Sequence, residues 1–129
     1  MAERKTVAEV LKYVDRDELA QLTKDLVDIP SPTGAERAIG EFILDWFSRY
    51  GIKNFRQEIS PERINAVGII EGKETGVSLT INGHMDTSYT GTEEDRMFCR
   101  ALEADSDLKG AVRDGKVFGL GASNMKSGL

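Results

Sequence analysis

Apolar positions in the first fifty residues recur every three or four places, the spacing that puts side chains on one face of a helix. This pattern predicts three helices, over residues 6–14, about 16–28 and about 35–50. The expected buried face of the second helix consists of Leu19, Leu22, Leu26 and Ile29. The third helix carries the longest apolar stripe, made of Ile39, Phe42, Ile43, Trp46, Phe47 and Tyr50. We interpret that stripe as core packing.

Local signals support the ends of these helices. Asp15 with Glu18 and Thr33 with Glu36 have the spacing of a capping box, in which each side chain bonds the other's backbone N–H. Gly51 follows the third helix and is the expected stop, because glycine readily adopts the left-handed conformation that ends helices.

The pattern then changes to strand spacing. Residues 52–59 mix apolar and polar residues, as a half-exposed strand does, and residues 64–72 are more apolar. The sequence "GKETG" (72–76) predicts a hairpin connection into a buried strand over residues 77–83. This order of helices and strands predicts an α/β fold.

The last third of the chain is less regular. Residues 87–111 have little apolar periodicity, which predicts a long surface loop with a short helix near 93–104. Asp114-Gly115 between apolar pairs predicts a second hairpin. The chain ends at Leu129 where another helix begins in the pattern, so we expect the first part of a larger domain.

Composition narrows the function classes. With 17 basic and 22 acidic residues the net charge is −5, which argues against a nucleic-acid partner. Cys99 is the single cysteine and cannot form an internal disulfide, which suits a reducing compartment. The charged start has no signal-peptide core, and no apolar run reaches the roughly 18 residues of a membrane span. We therefore expect a cytoplasmic protein with no membrane partner.

The candidate chemistry begins at "NGHMDTS" (82–88), which contains His84, the only histidine. On an extended segment the side chain of Asp86, two residues later, points the same way. Imidazole is a good zinc ligand, and a carboxylate can accept its other ring proton. The alternative is a histidine that only caps a strand.

A second glycine-flanked stretch, "GLGASNMKSG" (119–128), follows the second hairpin. Glycines let the backbone turn sharply and approach an ion or a substrate closely. The alternative is a strand-to-helix turn in which Asn124 caps the helix.

Four motifs in order, "LVDIPSPTG" (26–34), "INAVG" (64–68), "INGHMDTS" (81–88) and "GLGASNMKSG" (119–128), carry a resemblance to a family of zinc hydrolases. Its members include acetylornithine deacetylases, succinyl-diaminopimelate desuccinylases, carboxypeptidase G-type enzymes, aminoacylases and aminotripeptidases. The resemblance extends from about Leu19 to Leu129. It implies the N-terminal portion of a three-layer α/β catalytic domain with a mixed sheet, apparently incomplete and without the family's lid and dimerisation domain.

The resemblance also implies roles for three residues. His84 matches a metal ligand, and Asp86 matches the aspartate that supports it and is counted catalytic. Asn124 stands where the family usually has an aspartate that bridges two zinc ions. Ser127 replaces a glycine of the same motif. The neutral amide implies a weaker, single-metal or altered site. The cofactor implied is one or two zinc ions, with cobalt or manganese as alternatives.

The function implied is metal-dependent hydrolysis of amide bonds in N-acyl amino acids or small peptides. In the family, a Glu-Glu pair and further ligands come later in the sequence than Leu129, so we expect the isolated 129-residue chain to be inactive. The alternative is a truncated, inactive relative that serves as a binding or scaffold module. The substrate's identity and the oligomeric state stay open.

Overall fold

The computed structural model describes residues 6–72, 76–90, 92, 94 and 109–129. It contains three helices, α1 (Val7–Leu11), α2 (Arg16–Asp28) and α3 (Arg37–Arg49). These are followed by strands β1 (Lys53–Ser60), β2 (Arg63–Ile69), β3 (Ala111–Arg113) and β4 (Lys116–Phe118), and by a 3₁₀ turn, Lys126–Gly128. The mixture of helices and strands in a partial domain confirms the α/β class.

The strands form two separate antiparallel hairpins, β1 with β2 and β3 with β4. In the first, Lys53 pairs with Ile69, and a bulge interrupts the register between Glu58 and Ser60. In the second, Asp114 and Gly115 both have positive φ, 50° and 71°, which confirms the predicted tight hairpin. The three-layer arrangement with a mixed sheet stays a prediction, because the described strands pair only within these hairpins.

Helix α2 begins and ends where the sequence predicts. Asp15 accepts hydrogen bonds from the backbone N–H groups of Asp17 and Glu18, as an N-cap does. Its buried face is rotated from the expected one, with Thr23, Leu26 and Val27 buried. Leu19 is 52% exposed, so its predicted burial is wrong. The rotation follows from the packing of α2 on the β3–β4 hairpin, which the helical spacing alone does not locate.

Helix α3 packs on the first hairpin and forms the centre of the core. Ile39 is fully buried, and Ile64 of β2 is 2% exposed. The aromatic residues of the stripe are only half-buried, and Tyr50 is exposed. Gly51 follows the helix with φ +67°, which confirms the predicted stop.

The predicted capping box of α3 is wrong. The N-cap position is Glu36, which makes no capping side-chain bond to the helix. Its carboxylate instead accepts from the Gly34 N–H at 2.9 Å and from the Arg63 guanidinium at 2.9 and 3.1 Å. Thr33 turns its hydroxyl toward Asp86. Thr33 and Glu36 therefore bond Asp86 and Arg63, which are distant in sequence, and not each other.

Residues 77–83 are not a buried strand, contrary to the prediction. Their backbone belongs to no regular element, and Val77, Leu79 and Ile81 are each more than 80% exposed. A strand needs a neighbour for its backbone hydrogen bonds, and no described strand lies beside this segment. The predicted connection at 72–76 and the predicted helix at 93–104 fall largely outside the described residues. No described helix is long and apolar enough to cross a bilayer.

Candidate functional site

Two loops distant in sequence pair beside His84. A single parallel bridge joins Pro32, in the loop after α2, to Thr87. The Thr87 N–H donates to the Ser31 carbonyl at 2.8 Å, and the Thr33 N–H donates to the Thr87 carbonyl at 3.2 Å. Ser31 and Thr87 are both buried. This bridge fixes the chain directly after His84 against the loop that follows α2.

Asp86 orients the His84 ring from one side. Nδ1 of His84 lies 3.0 Å from the backbone carbonyl of Asp86 and 3.2 Å from its Oδ1. The other carboxylate oxygen, Oδ2, accepts a 2.5 Å hydrogen bond from the Thr33 hydroxyl. Both contacts of Nδ1 are with oxygen acceptors, which favour the tautomer with a proton on Nδ1. A neutral ring then has its lone pair on Nε2, the atom available to a metal ion.

Asn124 faces the ring from the opposite side. Its Oδ1 lies 3.0 Å from Nε2 of His84, across 40 positions of sequence. Asn124 lies on a turn held by two backbone bonds, from Lys126 N–H to the Gly121 carbonyl and from Ser127 N–H to Ala122. The Asn124–Met125 peptide bond is cis. The structure therefore brings together all three residues that the sequence singled out.

Asn124 is not a helix cap. The 3₁₀ turn that follows begins after Met125, and no side-chain bond caps it. The alternative that confined Asn124 to a strand-to-helix turn is therefore wrong for the side chain, which contacts His84 instead.

The oxygen acceptors around the ring raise the pKa of His84 and so favour its protonated form when no cation is present. The Asn124 oxygen at Nε2 is the largest cause that raises the pKa of His84, and the Asp86 carbonyl and carboxylate act in the same direction. The Thr33 hydroxyl is the largest cause that lowers the pKa of Asp86, with the His84 charge also contributing. Oxygen acceptors at both ring nitrogens suit two protons, or one proton on Nδ1 and a cation at Nε2.

The described residues do not by themselves form a cluster of metal ligands. Among them, no three His, Cys, Asp or Glu side chains converge on one point. Cys99 lies outside the described residues. The donors present are one imidazole nitrogen and one amide oxygen, each of a kind that zinc accepts. They fit a metal ion whose remaining ligands come from other residues.

Sequence reasoning missed Lys126, which is only 2% exposed. Its ammonium donates to the Ile29 carbonyl at 2.7 Å, across 97 positions. Burial lowers the pKa of this lysine to about 8, against the opposing effect of the Asp28 charge. The only signal was its place in the motif "GASNMKSG", because lysine is otherwise read as a surface residue.

Comparison with known proteins gives partial matches. A succinyl-diaminopimelate desuccinylase of Staphylococcus epidermidis is 33% identical over 109 residues, which cover 84% of this chain and 25% of that protein. A LysW-lysine/LysW-ornithine hydrolase of Pyrococcus abyssi is 34% identical over 74 residues, 57% of this chain and 20% of that protein. A Staphylococcus aureus desuccinylase is 27% identical over 112 residues, 87% of this chain and 26% of that protein. No protein-family model matches.

The chain thus spans about a fifth to a quarter of the length of the curated relatives it matches. The names of these relatives agree with the family that the ordered motifs resemble. Over most of its length the chain is similar to succinyl-diaminopimelate desuccinylases, which is consistent with the family of acetylornithine deacetylases and succinyl-diaminopimelate desuccinylases.

Proposed function

We propose that the chain forms part of the metal site of a zinc-dependent amide hydrolase. The observation that carries the proposal is the position of the His84 ring, with Nδ1 against Asp86 and Nε2 against the Asn124 oxygen. A histidine that only capped a strand would not need an oriented acceptor on one nitrogen and a second donor atom at the other.

In this proposal His84 is a metal ligand through Nε2, and Asn124 offers a neutral oxygen to the same ion. Asp86 holds the Nδ1 proton, which fixes the tautomer and increases the basicity of Nε2. When bound, zinc polarises the amide carbonyl and lowers the pKa of its water. Cobalt and manganese accept the same two donor types.

The names of the relatives support a substrate class. Their names describe hydrolysis of derivatives of diaminopimelate, lysine and ornithine. We extend this to N-acyl amino acids or small peptides as substrates of a protein that carries this chain. The single cysteine suits a reducing compartment, which supports the cytoplasm as the site of action.

One observation favours a second candidate, an inactive binding or scaffold module. A neutral amide at position 124 cannot offset the repulsion between two dications as a carboxylate would. In addition, when Nε2 of His84 carries a proton, its 3.0 Å contact with the Asn124 oxygen is a hydrogen bond that needs no cation. In this reading the motif survives as a structural link between two loops.

A zinc titration followed by NMR tests the first candidate on a single signal, because His84 is the only histidine. We expect zinc to shift the Nε2 resonance while Nδ1 stays protonated. His84→Ala should remove the saturable binding measured by calorimetry. Lys116→Met, an exposed change on β4, is the matched control and should leave it intact. An imidazole that does not respond to zinc would contradict a metal role.

Assays with N-acetyl and N-succinyl amino acids separate the two candidates further. We expect zinc binding without turnover in the 129-residue chain, since the described residues provide one imidazole nitrogen and one amide oxygen. Zinc-dependent turnover that His84→Ala abolishes would show that the chain completes the site itself. If the chain shows no zinc binding and no turnover, the result favours the scaffold module.

A further inference from the structure

The motif "IPSPTG" has no role in the proposed chemistry, yet its residues contact both loops of the site. We call residues 29–33 the anchor loop. Besides the bridge to Thr87, the Ser31 hydroxyl donates to the Met85 carbonyl at 2.8 Å, directly between His84 and Asp86. Ser31 is fully buried. The anchor loop therefore holds the backbone of the histidine segment on both sides of Asp86.

Thr33 provides a first side-chain connection from the anchor loop to the site. Its hydroxyl donates to Oδ2 of Asp86 at 2.5 Å, while Oδ1 of the same carboxylate lies 3.2 Å from His84. With one oxygen held by Thr33, rotation of the carboxylate away from the ring would break a charge-assisted bond. The same hydroxyl lies 3.4 Å from the Thr87 carbonyl, so Asp86 is its nearer acceptor and the one that contacts the imidazole.

Lys126 provides the second connection, from the other side. Its ammonium is buried and donates to the Ile29 carbonyl at 2.7 Å. A buried ammonium that loses its acceptor is costly, so this contact resists any displacement of the turn. Asn124 lies two residues earlier on the same turn. Lys126 therefore ties the position of Asn124 to the anchor loop.

We propose that the anchor loop sets the separation between Nε2 of His84 and Oδ1 of Asn124, with Thr33 and Lys126 as positioning residues. Both connections start from the same loop. A displacement of that loop therefore moves the His84 segment and the Asn124 turn together. The inference rests on the proposed function for its relevance to metal binding, but the positioning itself exists without metal.

The first test uses Thr33 and needs no metal. In the neutral ring, the fraction protonated at Nδ1 is read from the imidazole ¹⁵N signals. Thr33→Val, which keeps the shape and removes the hydroxyl, should lower this fraction, and Thr33→Ser should restore it. Thr80→Val, on the exposed segment before His84, is the matched control and should change nothing. An unchanged fraction in Thr33→Val would overturn the role of Thr33.

The second test measures zinc affinity by calorimetry. Thr33→Val should weaken binding by about threefold to tenfold, at or below the usual effect of a group that orients a ligand. In an Asp86→Ala background it should cause no further loss, because the proposed effect of Thr33 runs through that carboxylate. An equal loss in both backgrounds would contradict this path and leave Thr33 a merely structural residue.

The role of Lys126 is tested by the same comparison of zinc affinity in two backgrounds. Lys126→Met keeps the apolar stem and removes the ammonium, and should weaken zinc binding about tenfold. In an Asn124→Ala background the further loss should disappear. Lys116→Met controls for the loss of a positive charge. If Lys126→Met does not fold, Lys126→Arg decides: it retains the charge, and an affinity and a ring spectrum equal to wild type would overturn the need for this short ammonium contact.

The two levels of failure are distinguishable. If zinc leaves the wild-type imidazole unchanged, the proposed function fails, and the metal-free ring spectra of the Thr33 variants still decide the positioning role. If zinc binds through His84 but neither cycle shows coupling, the anchor loop is wrong and the metal role stands.

Discussion

The amide oxygen of Asn124 and the Nε2 atom of His84 lie 3.0 Å apart, although 40 residues separate them along the chain. A neutral oxygen therefore occupies the position that family resemblance gives to a carboxylate. The difference of one charge makes this contact the most informative place to alter the site.

We expect Asn124→Asp to tighten zinc binding, because it adds a negative charge beside a dication. After discounting for solvent and relaxation the gain is about 2–3 kcal/mol, or roughly a hundredfold in affinity. Calorimetric titration measures it, with Asn124→Ala as the companion that removes the oxygen without adding charge. An affinity unchanged by both substitutions would mean that Asn124 is not a ligand.

Gly119, at the start of the segment that carries Asn124, packs closely against helix α2. Its φ is +134°, and an added Cβ would lie 2.5 Å from Cγ1 of Val27, a buried residue of α2. Gly119→Ala should therefore lower the free energy of unfolding by about 2–4 kcal/mol, from backbone strain and overpacking together. Urea denaturation measures the change. Gly72→Ala, where a Cβ meets nothing within 4 Å, should stay within about 0.5 kcal/mol of wild type.

The ion pair of Glu36 with Arg63 should make stability depend on acidic pH. Burial would raise the pKa of Glu36, but hydrogen bonds from Gly34 and Arg63 outweigh it and hold this pKa below its ordinary 4.5. The contribution is present above pH 4.5, where the unfolded carboxyl is also ionised, and is lost as pH falls through the lower folded pKa.

Urea midpoints between pH 7 and pH 3 test this dependence. Arg63→Met should cost about 1–3 kcal/mol at pH 7, because it leaves a buried carboxylate without its cation. Glu36→Gln keeps the shape and removes the titrating group, so its stability should vary less with pH than that of wild type. An equal pH dependence in both proteins would assign the effect to other carboxyls.

The exposed segment over residues 76–83 should promote self-association. Val77, Leu79 and Ile81 lie at alternate positions and are exposed, a pattern that invites pairing with another chain. Leu79→Lys should reduce association in light scattering with less than about 0.5 kcal/mol change in stability. Thr80→Lys adds the same charge on the opposite side of the extended backbone. Equal effects of the two would show that charge alone, and not the apolar row, is responsible.

The sequence predicted the elements whose causes are local. Helix α2 matches its predicted bounds because Asp15 caps it and the motif with two prolines ends it. The second hairpin matches because Asp114-Gly115 suits the positive φ of a tight turn. The resemblance of the ordered motifs to a known family also singled out His84, Asp86 and Asn124, which the structure brings into contact.

The failures concern residues whose partners are distant in sequence. Thr33 has the spacing of a helix cap, but Asp86 competes for its hydroxyl from 53 positions away. Residues 77–83 have strand composition, but a strand requires a neighbouring backbone that composition does not supply. Lys126 was passed over because nothing local indicates that a lysine will be buried.

The site joins three stretches of chain that are far apart in sequence. Thr33 reaches Asp86 across 53 positions, and Lys126 reaches Ile29 across 97. Each contact closes a long loop, and the entropy of closure must be offset before the contact stabilises anything. During synthesis, His84 leaves the ribosome well before Asn124 and Lys126. The helices can form early, whereas the contact between His84 and Asn124 must wait until residues 119–128 have been synthesised.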